Sequence, residues 1–220
     1  MHDTDDPSTG PQLNATEARI VASLVEKETT TPDTYPLTLN AIVLACNQKN
    51  AREPLLQLEA GEVGHALRQL ETRGWVKSQH AARADRYSHR VETLLDLSRA
   101  HTALVALLML RGPQTANELL SRSDRLTKFN TVDDVQYALE RLSQRDPPLV
   151  RLLPRQGGQR EDRYAHLLSG EPVYTAPSPG AASAASGSGA ALGERVAALE
   201  ARLAELESRL EAAGIGPASD

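Results

Sequence analysis

Two five-residue stretches place the same set of reactive side chains close together twice. Asp-Arg-Tyr-Ser-His occupies residues 85–89, and Asp-Arg-Tyr-Ala-His occupies residues 162–166. A carboxylate, a guanidinium, a phenol and an imidazole are groups that proteins use for proton transfer and for binding anions. The pair therefore has three interpretations: a duplicated site, a duplicated fold, or coincidence.

The other candidate groups do not form a pattern typical of a metal site or a catalytic set. No two of the six histidines have the spacing of a ligand pair, and the single cysteine, Cys46, allows neither a cysteine zinc cluster nor an internal disulfide. Gly157-Gly158 is typical of a turn, since no strand–GxxxxGK–helix pattern surrounds it. No nucleophile, base and orienting group can be recognised together. We therefore expect no catalytic residue, metal or cofactor, and a protein that is not an enzyme.

Charge and hydrophobicity limit the class of protein. Of the residues, 40% are hydrophobic and only 3% are aromatic, so the core must consist mostly of Leu, Val, Ala and Ile. The net charge is −5, but residues 13–168 carry 21 basic and 19 acidic side chains, a mildly basic balance that permits nucleic-acid binding. The acidic start is unlike a signal peptide, and no apolar run reaches membrane-spanning length. The expected location is the cytoplasm, away from any membrane.

Two successive segments show the same order of predicted elements: helix, helix, helix, strand, turn, strand. Apolar residues at helical spacing and capping pairs predict the helices. They cover residues 13–28, 37–48, 61–73 and 98–111, a short segment opened by Thr115 and Glu118, and residues 131–145.

The two segments align with each other. Five positions of the third helices match at an offset of 72 residues, and the DRYxH strands match at an offset of 77. The five extra residues fall in the second turn, where an insertion is tolerated. Two matched blocks in the same order indicate an internal duplication.

Three helices followed by a two-stranded ribbon are typical of a winged helix-turn-helix domain, and a resemblance supports this interpretation. The segments YPLTLNAIVLACNQK at 35–49, ALRQLETRGWV at 66–76 and LLMLRGPQTANEL at 107–119, with the DRYxH strands, resemble the bacterial YceH-like family. The TLNAIVLACNQK block is the most specific, because an apolar helix ending in Cys-Asn-Gln-Lys is unusual. The resemblance covers about residues 13–168. It implies tandem winged-helix domains and a regulator-like class, without implying a ligand or a catalytic residue.

In winged-helix domains the third helix usually enters the major groove and the ribbon lies beside the DNA backbone. In domain 1, helical phase puts polar groups suited to bases and phosphates on the outer face of the third helix. In domain 2, it puts two carboxylates on the outer face of the third helix. The second outer face carries Asp133, Tyr137, Glu140 and Gln144. Both ribbons are basic, with a net charge of +3 for residues 76–90 and +2 for residues 149–166. The predicted DNA-binding residues are His65, Arg68, Gln69, Thr72, Arg73, Lys77, Arg83, Arg86, Arg90, Arg155, Arg160 and Arg163.

The C-terminal region has a heptad pattern. Apolar residues alternate at spacings of four and three, and the g and e positions carry Arg and Glu in an order that favours a parallel, in-register dimer. A lone amphipathic helix, or one docked on another protein, remains the alternative. The predicted dimerisation residues are Leu192, Val196, Leu199, Leu203, Leu206 and Leu210.

These patterns together predict a mainly α protein with small β-ribbons (α+β), built from two tandem winged helix-turn-helix domains and a C-terminal coiled-coil helix. Its function would be to bind duplex DNA as a regulator-type dimer through domain 1, with a possible protein partner on domain 2. The alternative is a non-enzymatic adaptor that uses the winged helices to bind proteins. The expected segments are a disordered start at 1–12, domain 1 at 13–92, domain 2 at 93–168, a flexible linker at 169–191, the coiled-coil helix at 192–212 and a disordered tail at 213–220.

Overall fold

The first half of the fold contains three main helices and three short strands. The computed structural model describes residues 13–80, 84–155 and 161–172. The three main helices appear in the predicted places, whereas a two-residue strand at Leu37–Thr38 and a 3-10 turn at Pro32–Thr34 were not predicted. The elements are α1 (Ala15–Thr30), β1 (Leu37–Thr38), α2 (Leu39–Cys46), α3 (Ala60–Thr72), β2 (Val76–Gln79) and β3 (Arg86–His89).

The second half repeats this order after a short connecting helix. The connecting helix α4 is five residues long, and its buried Val91 and Leu95 are too few to form a periodic signal in the sequence. The elements are α4 (Val91–Leu95), α5 (Arg99–Arg111), α6 (Ala116–Ser123), α7 (Val132–Ser143), β4 (Val150–Leu153) and β5 (Arg163–His166). The expectation of a mainly α fold with small antiparallel sheets is confirmed.

Side-chain caps fix where several helices begin. The pairs Asn14/Glu17, Thr115/Glu118 and Thr131/Asp134 all form complete capping boxes, as the sequence predicted for Thr115 and Glu118. In the first, the backbone N–H of Glu17 donates to Asn14 Oδ1 and the backbone N–H of Asn14 donates to Glu17 Oε2, both at 2.9 Å. Each box satisfies backbone donors that the first helical turn leaves without partners.

The strands form two small antiparallel sheets. In the first, β3 lies between β1 and β2, and Lys77 pairs with Ser88 in the β2–β3 ladder. In the second, β4 pairs with β5, and Arg151 lies opposite Ala165. The pleat turns alternate side chains to opposite faces, so Tyr87 and Tyr164 both lie against the hydrophobic core.

The duplication is visible in equivalent long-range contacts. Leu37 pairs with Tyr87 in the first half, and Gln114 forms a bridge with Tyr164 in the second. Both residues of the second pair are 77 positions further along the chain. The offset of 77 therefore holds at the second helix as well as at the DRYxH strands.

The arginine of each DRYxH strand anchors that strand to a preceding loop. Arg86 Nη1 donates to the carbonyl oxygen of Pro36 at 2.8 Å, and Arg163 Nη1 donates to the carbonyl oxygen of Pro113 at 2.8 Å. These two prolines are also 77 residues apart. The repeated arginine thus has the same structural contact in both halves.

A single hydrophobic core runs through both halves. Helices α1 and α5 are buried over residues 17–25 and 102–110 and pack against each other, and the continuous core includes Leu24 from one half and Leu108 from the other. The N–H of Leu13 donates to the carbonyl oxygen of Leu168 at 2.6 Å, which joins the two ends of the described fold. Residues 13–172 belong to one compact unit, and the predicted coiled-coil helix at 192–212 lies outside the described residues.

Buried polar groups hold α2 and its following loop against α1. The side chain of Arg52 is fully buried; it donates to Glu26 Oε2 at 2.5 Å and to the carbonyl oxygen of Ala45 at 3.1 Å. Cys46 is buried beside Ser23, with 3.8 Å between Sγ and Oγ. Burial raises the pKa of the Cys46 thiol to about 11. Cys46 is therefore part of the hydrophobic core.

Candidate nucleic-acid interface

The outer face of α3 carries the polar side chains that the sequence predicted there. The opposite face of the helix is buried through Val63, Ala66, Leu67 and Leu70, which fixes the rotation of α3 about its axis. Four predicted DNA-contacting residues therefore lie exposed on one side, namely His65, Arg68, Gln69 and Thr72. They lie within two helical turns of one another, which is the span over which a helix contacts base edges in the major groove.

Local hydrogen bonds organise part of this face and leave one cation available. The side-chain amide of Gln69 donates to His65 Nε2 at 3.0 Å, and Thr72 Oγ1 donates to the backbone carbonyl of Arg68 at 3.0 Å. The guanidinium of Arg68 has no hydrogen-bond or ion-pair partner among the described residues. An exposed, unpaired guanidinium is able to form two parallel hydrogen bonds with a phosphate or with a guanine edge.

Arg73 has a structural contact at the end of the same helix. Its guanidinium forms an ion pair with the buried Glu17, which belongs to the capping box of α1. Arg73 Nε also donates to the backbone carbonyl of Gln69 at 3.4 Å. The ion pair connects the end of α3 to the beginning of α1 and offsets the charge that Arg73 would present to DNA.

The first hairpin, formed by β2 and β3, presents two exposed cations. Lys77 lies on β2 and Arg90 follows β3, and neither side chain has a charged partner among the described residues. Arg86 is exposed as well, but its guanidinium is held by the carbonyl oxygens of Thr34 and Pro36 at 3.2 and 2.8 Å. Arg83 lies outside the described residues.

The carboxylates of Glu71 and Asp85 each form a hydrogen bond with a residue of the β2–β3 hairpin or of its turn. Ser78 donates to Glu71 Oε1 through its N–H at 2.9 Å and through its hydroxyl at 2.5 Å, which ties β2 to α3 and lowers the pKa of Glu71. His80 and Asp85 are 2.9 Å apart near the hairpin turn, and the hydrogen bond to Asp85 raises the pKa of His80. Both carboxylates thus have hydrogen-bond partners, and neither forms an ion pair with Lys77 or Arg90.

The corresponding surface of the second half has a different charge arrangement. The outer face of α7 carries the exposed side chains of Asp133, Tyr137 and Glu140. Tyr137 is 66% exposed, and Gln144 Nε2 donates to Glu140 Oε1 at 3.0 Å. A face with two carboxylates repels a phosphate backbone, in contrast to the face of α3.

Each described arginine of the second hairpin already has an acidic partner. Arg155 forms two hydrogen bonds with Asp162, at 2.6 and 3.2 Å, which raise the pKa of the arginine and lower that of the acid. Arg151 pairs with Glu171, and Arg163 contacts Glu118 Oε2 at 3.0 Å. Arg160 lies outside the described residues. DNA would have to compete with these carboxylates, so the first half is the better candidate interface.

Sequence reasoning missed the arginines that bind backbone carbonyls. Alternation along a strand turns Arg86 and Arg163 outward, which makes them available to a phosphate or to a nearby acid. In the structure each also folds back onto a loop and donates to a carbonyl oxygen, and Arg163 contacts the acid Glu118. One signal was present: Pro36 and Pro113 have the same offset as the two arginines.

No three described His, Cys, Asp or Glu side chains lie close enough to hold a metal ion. Within the same described part of the chain, no helix is both long and apolar enough to cross a membrane.

Comparison with known proteins finds similarity along most of the chain. A sequence profile of the family described as "Protein of unknown function, DUF480" matches residues 13–159. The UPF0502 protein of Xanthomonas campestris pv. campestris (strain B100) is 57% identical over 175 residues, covering 80% of this chain and 78% of the relative. The UPF0502 protein of Stenotrophomonas maltophilia (strain K279a) is 54% identical over 177 residues, covering 80% and 81%.

Proposed function

Since the chain belongs to the DUF480 family of proteins of unknown function, as the YceH-like resemblance predicted, we propose a function from its own geometry. The protein is a non-enzymatic, double-winged-helix DNA-binding protein of regulator type that acts in the cytoplasm. Its first half contacts duplex DNA through α3 and the β2–β3 hairpin. Its second half supports the first and offers a surface for another protein.

The arrangement of elements supports the winged-helix part of this proposal. Each half has three helices followed by an antiparallel hairpin, and in each half a segment before the second helix pairs with the last strand. A helix-turn-helix places its last helix in the major groove, and an adjacent hairpin then lies close to the phosphates. In the first half these two elements are α3 and the β2–β3 hairpin.

The observation that carries the proposal is the set of exposed cations without acidic partners in the first half. Arg68 on α3 and Lys77 and Arg90 on the hairpin have no ion pair among the described residues, whereas Arg151, Arg155 and Arg163 of the second hairpin all do. Cations that form no ion pair within the protein can replace the counterions of DNA without first breaking a contact. The paired arginines of the second hairpin would lose an existing contact.

A second candidate function is that of a protein-binding adaptor, and the surface of the second half favours it. Tyr137 on α7 and Leu152 on β4 are large side chains that are 66% and 49% exposed. Aromatic side chains are enriched at protein interfaces, and the neighbouring Asp133 and Glu140 disfavour DNA there. Under this alternative the cations of the first half would be an ordinary solvated surface.

The proposal includes self-association through residues 192–212, which lie outside the described residues. Three heptads form a marginal coiled coil, so we expect a weak parallel dimer. Light scattering on the full-length chain and on a chain ending at Ala191 would measure this. A dimer that becomes a monomer on truncation supports the pairing, and two monomers contradict it.

Fluorescence anisotropy with a random-sequence duplex tests the DNA-binding function. We expect the affinity of the full-length protein to fall steeply with salt concentration, because phosphate contacts release counterions. The substitution Arg68→Gln should weaken binding and reduce the slope of log affinity against log salt by about 1. The matched control is Arg141→Gln, which removes an exposed arginine from α7.

Three outcomes separate the candidates. An affinity that is flat with salt, or equal losses from Arg68→Gln and Arg141→Gln, contradicts DNA binding by α3. If Arg68→Gln binds DNA as the unchanged protein does and Arg141→Gln binds it more weakly, the DNA contact belongs to the second half. If DNA binds as expected, His65→Ala with specific and random duplexes distinguishes base recognition from charge attraction, because only base recognition depends on the sequence.

A further inference from the structure

A cleft between the two halves has the size of a ligand pocket. Its volume is about 690 Å³, and it lies where the C-terminal ends of α1, α5 and α6 meet the loop that follows α2. Small-molecule sites in proteins commonly have volumes of roughly 300–1,000 Å³. The cleft is built from elements other than α3 and the β2–β3 hairpin.

The walls of the cleft carry many more cations than anions. The basic side chains lining it are Lys27, Lys49, Arg111, Arg122 and Arg125, and among the described lining residues Glu26 is the single carboxylate. Glu26 already accepts two hydrogen bonds from the buried Arg52, at 2.5 and 3.2 Å. Glu26 also lies 3.9 Å from Lys27, and Arg122 pairs with Glu118 at 3.6 Å. Lys49, Arg111 and Arg125 are therefore the cleft cations without an ion pair among the described residues.

Several of these cations lack partners. Arg111 Nε is enclosed and has no hydrogen-bond acceptor, and Lys49 and Arg125 have no hydrogen-bond or ion-pair partner among the described residues. Burial, and then the nearby charge of Arg122, lowers the pKa of Arg111. An enclosed N–H without an acceptor is costly. The unpaired charges of Lys49 and Arg125 are exposed and open to an oxyanion bound in the cleft.

Helix dipoles account for only part of this charge. Lys27, Arg111 and Arg122 lie in the last turns of α1, α5 and α6, where a cation compensates the C-terminal end of the helix. Each helix end contributes roughly −0.5 of an elementary charge, so three ends offset about −1.5. Lys27 and Arg122 also form ion pairs with Glu26 and Glu118, so the charges that the fold leaves uncompensated are those of Lys49 and Arg125 and part of that of Arg111.

The cleft also has an apolar wall. Leu107, Leu110 and Leu126 line it, each less than 10% exposed and belonging to the common core. Cations beside a leucine wall suit a ligand with a strongly charged end and an uncharged ring or chain. A DNA backbone presents charge along a strand and has no uncharged group that would pack against these leucines.

We propose that the cleft between the two halves binds a small polyphosphorylated molecule of nucleotide size. The phosphates contact Arg111, Arg125 and Lys49, and the uncharged part packs against the leucine wall. Guanidinium groups suit this contact because their N–H groups match two phosphate oxygens at once. This ligand site does not depend on DNA binding and would exist equally in an adaptor.

Isothermal titration calorimetry of the full-length protein tests the site with ATP, tripolyphosphate and adenosine as probes. We expect saturable binding of ATP and of tripolyphosphate and none of adenosine. Arg125→Gln and Lys49→Gln should each weaken ATP binding by about tenfold, since each removes one charge-assisted contact. Both side chains are exposed, so neither change should affect folding. The control Arg141→Gln should bind as the unchanged protein does.

The other results would overturn the site. Absence of saturable binding of ATP and tripolyphosphate, equal binding of adenosine, or an equal loss in Arg141→Gln each rule it out. The site is also ruled out if ATP does not bind and Arg125→Gln and Lys49→Gln weaken the binding of duplex DNA. The cleft would then be part of the DNA-binding surface. Arg68→Gln should keep the affinity for ATP, so failure of the DNA proposal leaves this one intact.

Discussion

The histidines that end the two DRYxH strands have different environments despite their equivalent positions. His89 lies 2.9 Å from Glu28 Oε2, and its Nδ1 accepts the N–H of Val91 at 3.3 Å. His166 has an enclosed Nδ1 with no hydrogen-bond partner. Burial therefore lowers the pKa of His166 to about 4.

Because His166 is buried and uncharged, we expect the fold to lose stability in acid and expect a substitution of His166 to reduce that loss. Between pH 6.5 and 4 the unfolded chain binds a proton at His166 and the folded chain does not, so the free energy of unfolding decreases as the pH falls through that range. The loss attributable to this group is up to about 3 kcal/mol. Urea denaturation of His166→Phe across the same pH range should show a shallower decrease. An equally steep decrease in the variant would contradict this assignment.

At the scale of elements, the long periodic helices were predictable and the short elements were not. Capping pairs such as Thr131 with Asp134 and apolar faces such as Val63 to Leu70 determine helices by local contacts that the sequence displays. Strand β1 has two residues and exists because Leu37 pairs with Tyr87, fifty residues away. Such elements depend on distant partners and have no period of their own.

The same limit applies to the candidate interface. The exposed face of α3 follows from helical phase, and four of its predicted residues lie on it. Which arginines keep an unpaired charge does not follow from phase, because long side chains reach partners far along the chain, as Arg73 reaches Glu17, 56 positions away. Pairing removed Arg155 and Arg163 from the better candidates and left Arg68 among them.

The contacts that anchor β5 to the preceding loop should contribute to the stability of the fold. The half-buried guanidinium of Arg163 contacts Pro113 and Glu118, so Arg163→Ala should lower the free energy of unfolding by about 2 kcal/mol. Arg151→Ala removes an exposed pair with Glu171 and should cost less than about 1 kcal/mol. Urea denaturation measures both. Equal costs would show that the contact of Arg163 with the loop adds no stability.

At the scale of the whole molecule, the two halves share one core. Helices α1 and α5 pack against each other along their buried faces, so separating the halves would expose a large apolar surface to water. The two copies are therefore expected to unfold together. The two copies differ on the outer faces of their third helices, where α3 exposes Arg68 and α7 exposes Asp133 and Glu140.

The single tryptophan allows this cooperativity to be measured. Trp75 is buried in the first half, and Leu139 is buried in the second. The change Leu139→Ala should lower the free energy of unfolding by about 3 kcal/mol and shift the Trp75 fluorescence transition by the same amount as the circular-dichroism transition. The control Leu152→Ala, at an exposed position, should shift neither. A Trp75 transition that stays in place would show that the halves unfold separately.

The buried thiol of Cys46 gives the native protein a chemical property of its own. A thiolate is the reactive form of cysteine, and burial both encloses this sulfur and keeps it protonated at neutral pH. Folded protein should consequently remain unmodified by disulfide-exchange reagents and keep its native state in buffers without a reductant. Labelling would occur only through molecules in which α2 has moved away from α1. The slow rate of labelling would thus report how often the first half opens under conditions where the fold is otherwise intact.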